Sequence, residues 1–267
     1  MSPPPLPSRG CGLALLYFGL CLLLTVFTVV PVLAYGFGEP TSALALSFSA
    51  VGMSGGAVLI AEAWRRVAGW TAVETWPATV GRLGALGWIG AALGALSLGV
   101  VGEAIGTGWW NLLSNTFGWT LPTDALAAIA DALLVGPLPA RILFSVVVVL
   151  VGPLLEELVF RGFLWRLLGG GDRPVFALVF TSLLFAAWHL DPIQSVGVLP
   201  LAVFLGVLRW RTGSLWAPVV VHVANNGLAL CTILLGAGDA TSPALVGVAC
   251  VVGTIAFGVI GRGSAIR

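Results

Sequence analysis

The sequence predicts an all-α, polytopic membrane protein of about eight transmembrane helices, with helices four to seven as its core. Composition points there first: 58% of the 267 residues are hydrophobic and 9% are charged, against about 25% charged in soluble domains. Patterning points there second. Apolar stretches of roughly the 20 residues needed to cross a bilayer as a helix recur along the chain, and in lipid the backbone must satisfy its own hydrogen bonds. Charge placement is the third observation. All twelve basic residues are arginines, and they gather at alternate ends of the apolar stretches.

Taken in order, residues 1–10 are Pro-rich and read as a short tail. Residues 11–35 form a first apolar span. A cleavable leader is the competing reading, with Val32 and Ala34 as its cleavage pattern, but the apolar stretch exceeds the usual 7–15-residue core of such a peptide. Spans two and three are expected at Ser42–Trp64 and Leu83–Val101. Residues 103–138 are mixed: Trp109, Trp110 and Trp119 suggest an interfacial segment, and Leu121–Leu134, with Asp124 and Asp131, reads as a surface or half-buried helix. Span four, Pro139–Leu168, is long enough to tilt or protrude, and Pro153 is placed to kink it. Spans five to eight follow at Pro174–Leu190, Ile193–Trp210, Ser214–Leu235 and Pro243–Ile260. Three regions result: 1–138, a core at 139–236, and 237–267.

Threading eight spans with the N-terminus inside puts Arg9, Arg65, Arg66, Arg82, Arg166, Arg173, Arg209, Arg211, Arg262 and Arg267 on the inner side, and Arg161 near an inner end. Arg141 is the exception. Glu39, Glu103, Asp124, Asp131, Asp191 and Asp239 fall outside. Such asymmetry is what the positive-inside rule expects of a bacterial inner membrane, with both termini cytoplasmic. No basic cluster exceeds two residues, so nucleic acid is not an expected partner. Cys11, Cys21, Cys231 and Cys250 lie in or beside apolar segments without C-x-x-C spacing and read as small apolar residues.

Polar residues inside spans are costly and need a partner, a cavity or a task. Leu154–Trp165, LLEELVFRGFLW, carries Glu156, Glu157 and Arg161. Glu157 and Arg161 are four apart and share a helix face in the favourable order. Glu156 points about 100° away, with no partner nearby in sequence. A carboxylate in a partly dry site suits proton transfer; a helix-stabilising pair beside a polar pocket is the competing reading. The chain's two histidines both fall within spans. His189 closes FAAWH, with Phe185 one turn before it. His222 opens HVANN, with Asn226 one turn after it and Asn225 turned elsewhere. At about 1.5 Å per residue, Glu156, His189, His222 and Asn226 overlap in depth, so they could line one cavity. Gly162, Ala186, Ala187, Gly206, Ala224 and Gly227 would let the helices approach closely.

The set EELVFR, FAAWH and HVANN resembles the three motifs of the CPBP family, the CAAX prenyl and bacteriocin-processing proteases, also called the Abi family: E-E-x-x-x-R, then F-x-x-x-H, then H-x-x-x-N or D. The resemblance covers about Val151–Leu230. It implies an intramembrane endopeptidase acting on a protein or peptide in the bilayer. It implies Glu156 as the base that activates water, with His189 helping to hold that water. His222 and Asn226 would stabilise the oxyanion, and Glu157 and Arg161 would support the helix. It leaves the cofactor open between one divalent metal such as zinc, held by Glu156, His189 and His222 with water as fourth ligand, and none. Two other readings compete. A catalytically silent scaffold or bacteriocin-immunity protein would use the cluster to lock helices. A proton-coupled transporter would use it as a relay, but paired broken helices are not evident.

Overall fold

A computed structural model of the chain describes residues 7–29, 42–77, 83–120, 125–235 and 242–262. The expected tail up to residue 6, the Val32 and Ala34 pair, Glu39, Arg82, Asp124, Asp239 and Arg267 lie outside these residues. All regular structure among the described residues is helical: α1 (Pro7–Leu24), α2 (Ala43–Val67), the single turn α3 (Ala72–Thr75), α4 (Ala85–Phe117), α5 (Ala125–Leu134), α6 (Leu138–Leu167), α7 (Pro174–Trp188), α8 (Pro192–Gly197), α9 (Leu199–Thr212), α10 (Trp216–Leu234) and α11 (Pro243–Arg262). The all-α membrane fold is therefore as expected. Large apolar side chains such as Leu15, Phe27, Leu59, Leu86 and Val251 point outward, which is sensible only where lipid is the solvent.

Six helices are long and apolar enough to cross a bilayer: α1, α2, α4, α6, α10 and α11. Helix α7 is apolar but shorter, at 15 residues. The sixth expected span is divided into α8 and α9, which meet at Val198. Pro200 sits in the first turn of α9, where its missing N–H costs nothing. Asp191 starts α8 by accepting hydrogen bonds from Ile193 and Gln194, and Pro192 follows at the first helical position.

Two further departures have local causes. Residues 103–117, expected as mixed interfacial chain, continue α4, which stops at Gly118 in the left-handed region (φ 67°) with its N–H on the Ser114 carbonyl. Helix α6 is not simply kinked at Pro153. It widens into π-helical turns at Val147–Val151 and again at Leu158–Leu164. Pro153 removes one N–H and crowds the Val149 carbonyl, and the first widened turn, Val147–Val151, relieves both.

The chain forms two compact units, Met1–Pro77 with Leu126–Ala177, and Ala78–Ala125 with Leu178–Arg267. In the first, α1, α2 and α6 pack together around Tyr17 and Phe163, whose ring centroids are 4.7 Å apart. The buried Tyr17 hydroxyl donates to the Ala57 carbonyl at 2.6 Å. Arg141, the exception to the charge asymmetry, donates through Nε to the Leu133 carbonyl at 2.7 Å, satisfying the end of α5.

In the second unit, α4 is the central post. Its buried Gly90, Gly94, Gly102 and Gly106 each face a neighbour where a Cβ would not fit: Val259 at Gly90, the Phe204 ring at Gly94, the Gly197 carbonyl at Gly102, and the Ile193 carbonyl at Gly106. Ala91, Ala95 and Leu98 of α4 close the core with Leu201, Phe204, Leu205 and Leu208 of α9, Val221 of α10, and Ala256 and Ile260 of α11. The small-residue seam thus runs along α4. Of the residues expected to make it, Gly206 does lie against Leu178, whereas Ala187 and Ala224 are exposed.

Candidate active site

The carboxylates belong to the first unit, on α6. Glu157 ends the ordinary α-helical turn Gly152–Glu157, and Arg161 lies in the π-helical turn after it. Arg161 Nη1 donates to Glu157 Oε1 at 3.0 Å, and both side chains are 0% exposed. Neither charge would survive that burial without a counter-charge. Glu156 is half-buried.

The imidazoles and Asn226 belong to the second unit. Helix α7 ends at Trp188, and its last amides close tightly, with His189 N–H on the Ala186 carbonyl and Leu190 N–H on that of Ala187, both at 3.3 Å. His189 thus stands at the helix end rather than within it. Leu190 adopts φ 53°, a left-handed conformation that costs a non-glycine residue about 1–2 kcal/mol. His189 Nδ1 lies 3.0 Å from the Phe185 carbonyl. A carbonyl can only accept, so Nδ1 carries the proton, and in the neutral ring the lone pair is on Nε2.

His222 is buried in the second turn of α10. The fully buried Phe185 ring meets both imidazoles edge-on, with centroids 5.0 Å from His189 and 5.6 Å from His222. The structure therefore brings the two histidines to one aromatic neighbour. The contact with His189 follows from their i, i+4 spacing; the contact with His222 joins residues on different helices. Asn226 is one turn beyond His222, half-buried, and its Oδ1 accepts from Asn225 Nδ2 at 3.4 Å. Asn225 has room because Gly99 of α4 lies beside it, where a Cβ would come within 3.1 Å of Asn225 Oδ1.

One contributor escaped the sequence reading. Trp76 follows α3, and its indole N–H donates to the Leu158 carbonyl of α6 at 3.1 Å. Gly162 provides the space. The T-x-x-E spacing of Thr71 and Glu74, a capping box in the structure, was the available signal for a helical turn there.

Residues 138–228 match the Rce1-like family model. That family is described as type II CAAX prenyl endopeptidase, in agreement with the resemblance drawn from the three motifs. The Rce1-like segment opens with α6 and closes two residues after Asn226, so it contains Glu156, Glu157, Arg161, His189, His222 and Asn226 and leaves out α1 to α5 and α11. No curated protein and no solved structure matches the chain. The Rce1-like match supports intramembrane proteolysis as the class of activity, with a peptide substrate in a lipid environment.

Proposed function

We propose that the protein is an intramembrane endopeptidase in which Glu156 activates water for attack on a scissile peptide carbonyl. The single observation that carries this reading is the Rce1-like match over residues 138–228, which contains the carboxylates and both histidines. The half-buried Glu156 takes a proton from water as the water oxygen bonds to the carbonyl carbon. His189, oriented through its Nδ1 proton, offers Nε2 to hold that water. His222 and Asn226 donate hydrogen bonds to the oxyanion that forms. As the C–N bond breaks, the proton held by Glu156 passes to the leaving amine. Glu157 and Arg161 keep the helix and the local field in place.

Among the described residues no three His, Cys, Asp or Glu side chains are gathered to hold a metal; a carboxylate and two imidazoles such as Glu156, His189 and His222 are the donor types that one divalent metal such as zinc would take. The His189 hydrogen bond to a backbone carbonyl is the kind of support that metal-binding imidazoles use. A bound metal would supply Lewis-acid polarisation of the carbonyl or water.

The test uses the full chain in lipid vesicles with two internally quenched peptides, identical except that one is farnesylated on the cysteine of a CAAX end. Wild type should cleave at least one of them, and Glu156→Gln should cleave neither. Equal cleavage by both proteins, or none by wild type, overturns the reading. Repeating the assay with EDTA separates a metal-dependent enzyme, which loses activity, from a metal-free one, which keeps it. Placement in a bacterial inner membrane with both termini cytoplasmic rests on the arginine asymmetry.

A further inference from the structure

Resting on the endopeptidase reading, we propose that Trp76 is a positioning residue, whose indole N–H holds the π-helical turn of α6 in the register that aims Glu156. Turns of this kind are rare and are outcompeted by ordinary α-helix unless something outside the helix favours them. Reverting Leu158–Leu164 to α-helix would rotate one side of α6 against the other by about 100°, the angle per residue. Glu156 lies two residues before that turn, so its direction depends on the register chosen there.

The structure supplies the outside fastening. The Trp76 indole reaches Leu158 across 82 residues of chain. The notch it occupies is shaped by Gly162: a Cβ there would lie 2.5 Å from Trp76 Cδ1, 2.9 Å from its Nε1 and 3.2 Å from the Thr75 carbonyl. Thr75 is fully buried.

The segment bearing Trp76 is itself tied down at several points. Arg65 Nη1 donates to the Trp70 carbonyl at 2.5 Å, and the Arg65 guanidinium lies 5.5 Å from the Trp76 ring. Thr71 and Glu74 satisfy each other's backbone amides. Glu74 also pairs with Arg166 of α6 at 3.4 Å, and Arg166 lies over the Trp70 ring at 4.7 Å. Arg166 follows the π turn, so the strap grips α6 at Leu158, at Gly162 and beyond.

The test measures turnover and amide hydrogen exchange on the full chain in vesicles, with the same two peptides. Trp76→Phe keeps a ring and loses the donor. It should lower kcat about tenfold with KM within about twofold, and should speed exchange of the Leu158–Leu164 amides about tenfold. Trp109→Phe, a matched change on α4, should do neither. Gly162→Ala pushes Trp76 away from Leu158 and should lower kcat similarly; added to Trp76→Ala it should cost little more, because the fastening it disturbs is already lost. Gly162→Ala, which keeps the indole, also serves if Trp76→Phe does not fold. Wild-type kcat in Trp76→Phe, unchanged exchange in Leu158–Leu164, or equal effects of Gly162→Ala with and without Trp76 would overturn the proposal while leaving the endopeptidase reading intact. Absence of cleavage by wild type overturns that reading and the proposal together.

Discussion

Arg161 and Glu157 form a salt bridge of 3.0 Å with both side chains wholly shielded from solvent. Two charges so placed are tolerable only together, because desolvation of each is offset by the other. Glu157→Gln takes the hydrogen-bonded counter-charge from the buried Arg161 and should cost about 3–5 kcal/mol of stability. Glu156→Gln keeps the close pair and should melt near wild type. Thermal unfolding in detergent checks this; equal melting temperatures for the two variants would count against the pairing.

Phe185 touches both imidazoles and is fully buried. Phe185→Ala should lose about 3–5 kcal/mol by opening a cavity. It should also free both rings and lower kcat. Phe185→Leu refills much of the volume without the flat edge, so it should fold better and still turn over more slowly than wild type. Full activity in Phe185→Leu would show that the ring merely fills space.

Gly102 meets the Gly197 carbonyl where α4 crosses α8. Gly102→Ala places a methyl group against backbone, which cannot swing aside, and should destabilise by about 1–3 kcal/mol. Gly108, in the same helix, has nothing within 4 Å of its would-be Cβ. Gly108→Ala should therefore be neutral or stabilise by up to about 1 kcal/mol, since alanine loses less freedom than glycine in a helix. Unfolding of the two variants side by side reads the difference, and similar behaviour would argue against a close crossing.

The arginine distribution predicts opposite locations for Gly38 and Arg267. Reporter fusions at the two points should give activity on opposite sides of the membrane, with Arg267 on the cytoplasmic side. The same side for both would break the topology proposed from charge.

Much of this architecture was written in local pattern. Apolar length marked helices in the expected regions, six of them long and apolar enough to cross a bilayer, because the demand for a satisfied backbone in lipid acts on each segment independently. The i, i+4 spacings of Glu157 with Arg161 and of Phe185 with His189 were legible for the same reason: a helix alone brings such residues together. Tertiary structure decided what no single segment specifies. Pro153 marks a distortion in α6 but not its form, and the second π-helical turn, Leu158–Leu164, has no residue signature in its own segment. Nothing in the α4 segment itself marks which of its glycines are needed; Phe204, Gly197 and Ile193, from other helices, decide that by lying against them. Phe185 could be matched to His189 from spacing, but its contact with His222 needed two helices to pack. Trp76 and Leu158 meet across 82 residues. Helical periodicity reports which face a residue shares, whereas the identity of the group opposite that face is set by how the whole chain closes upon itself.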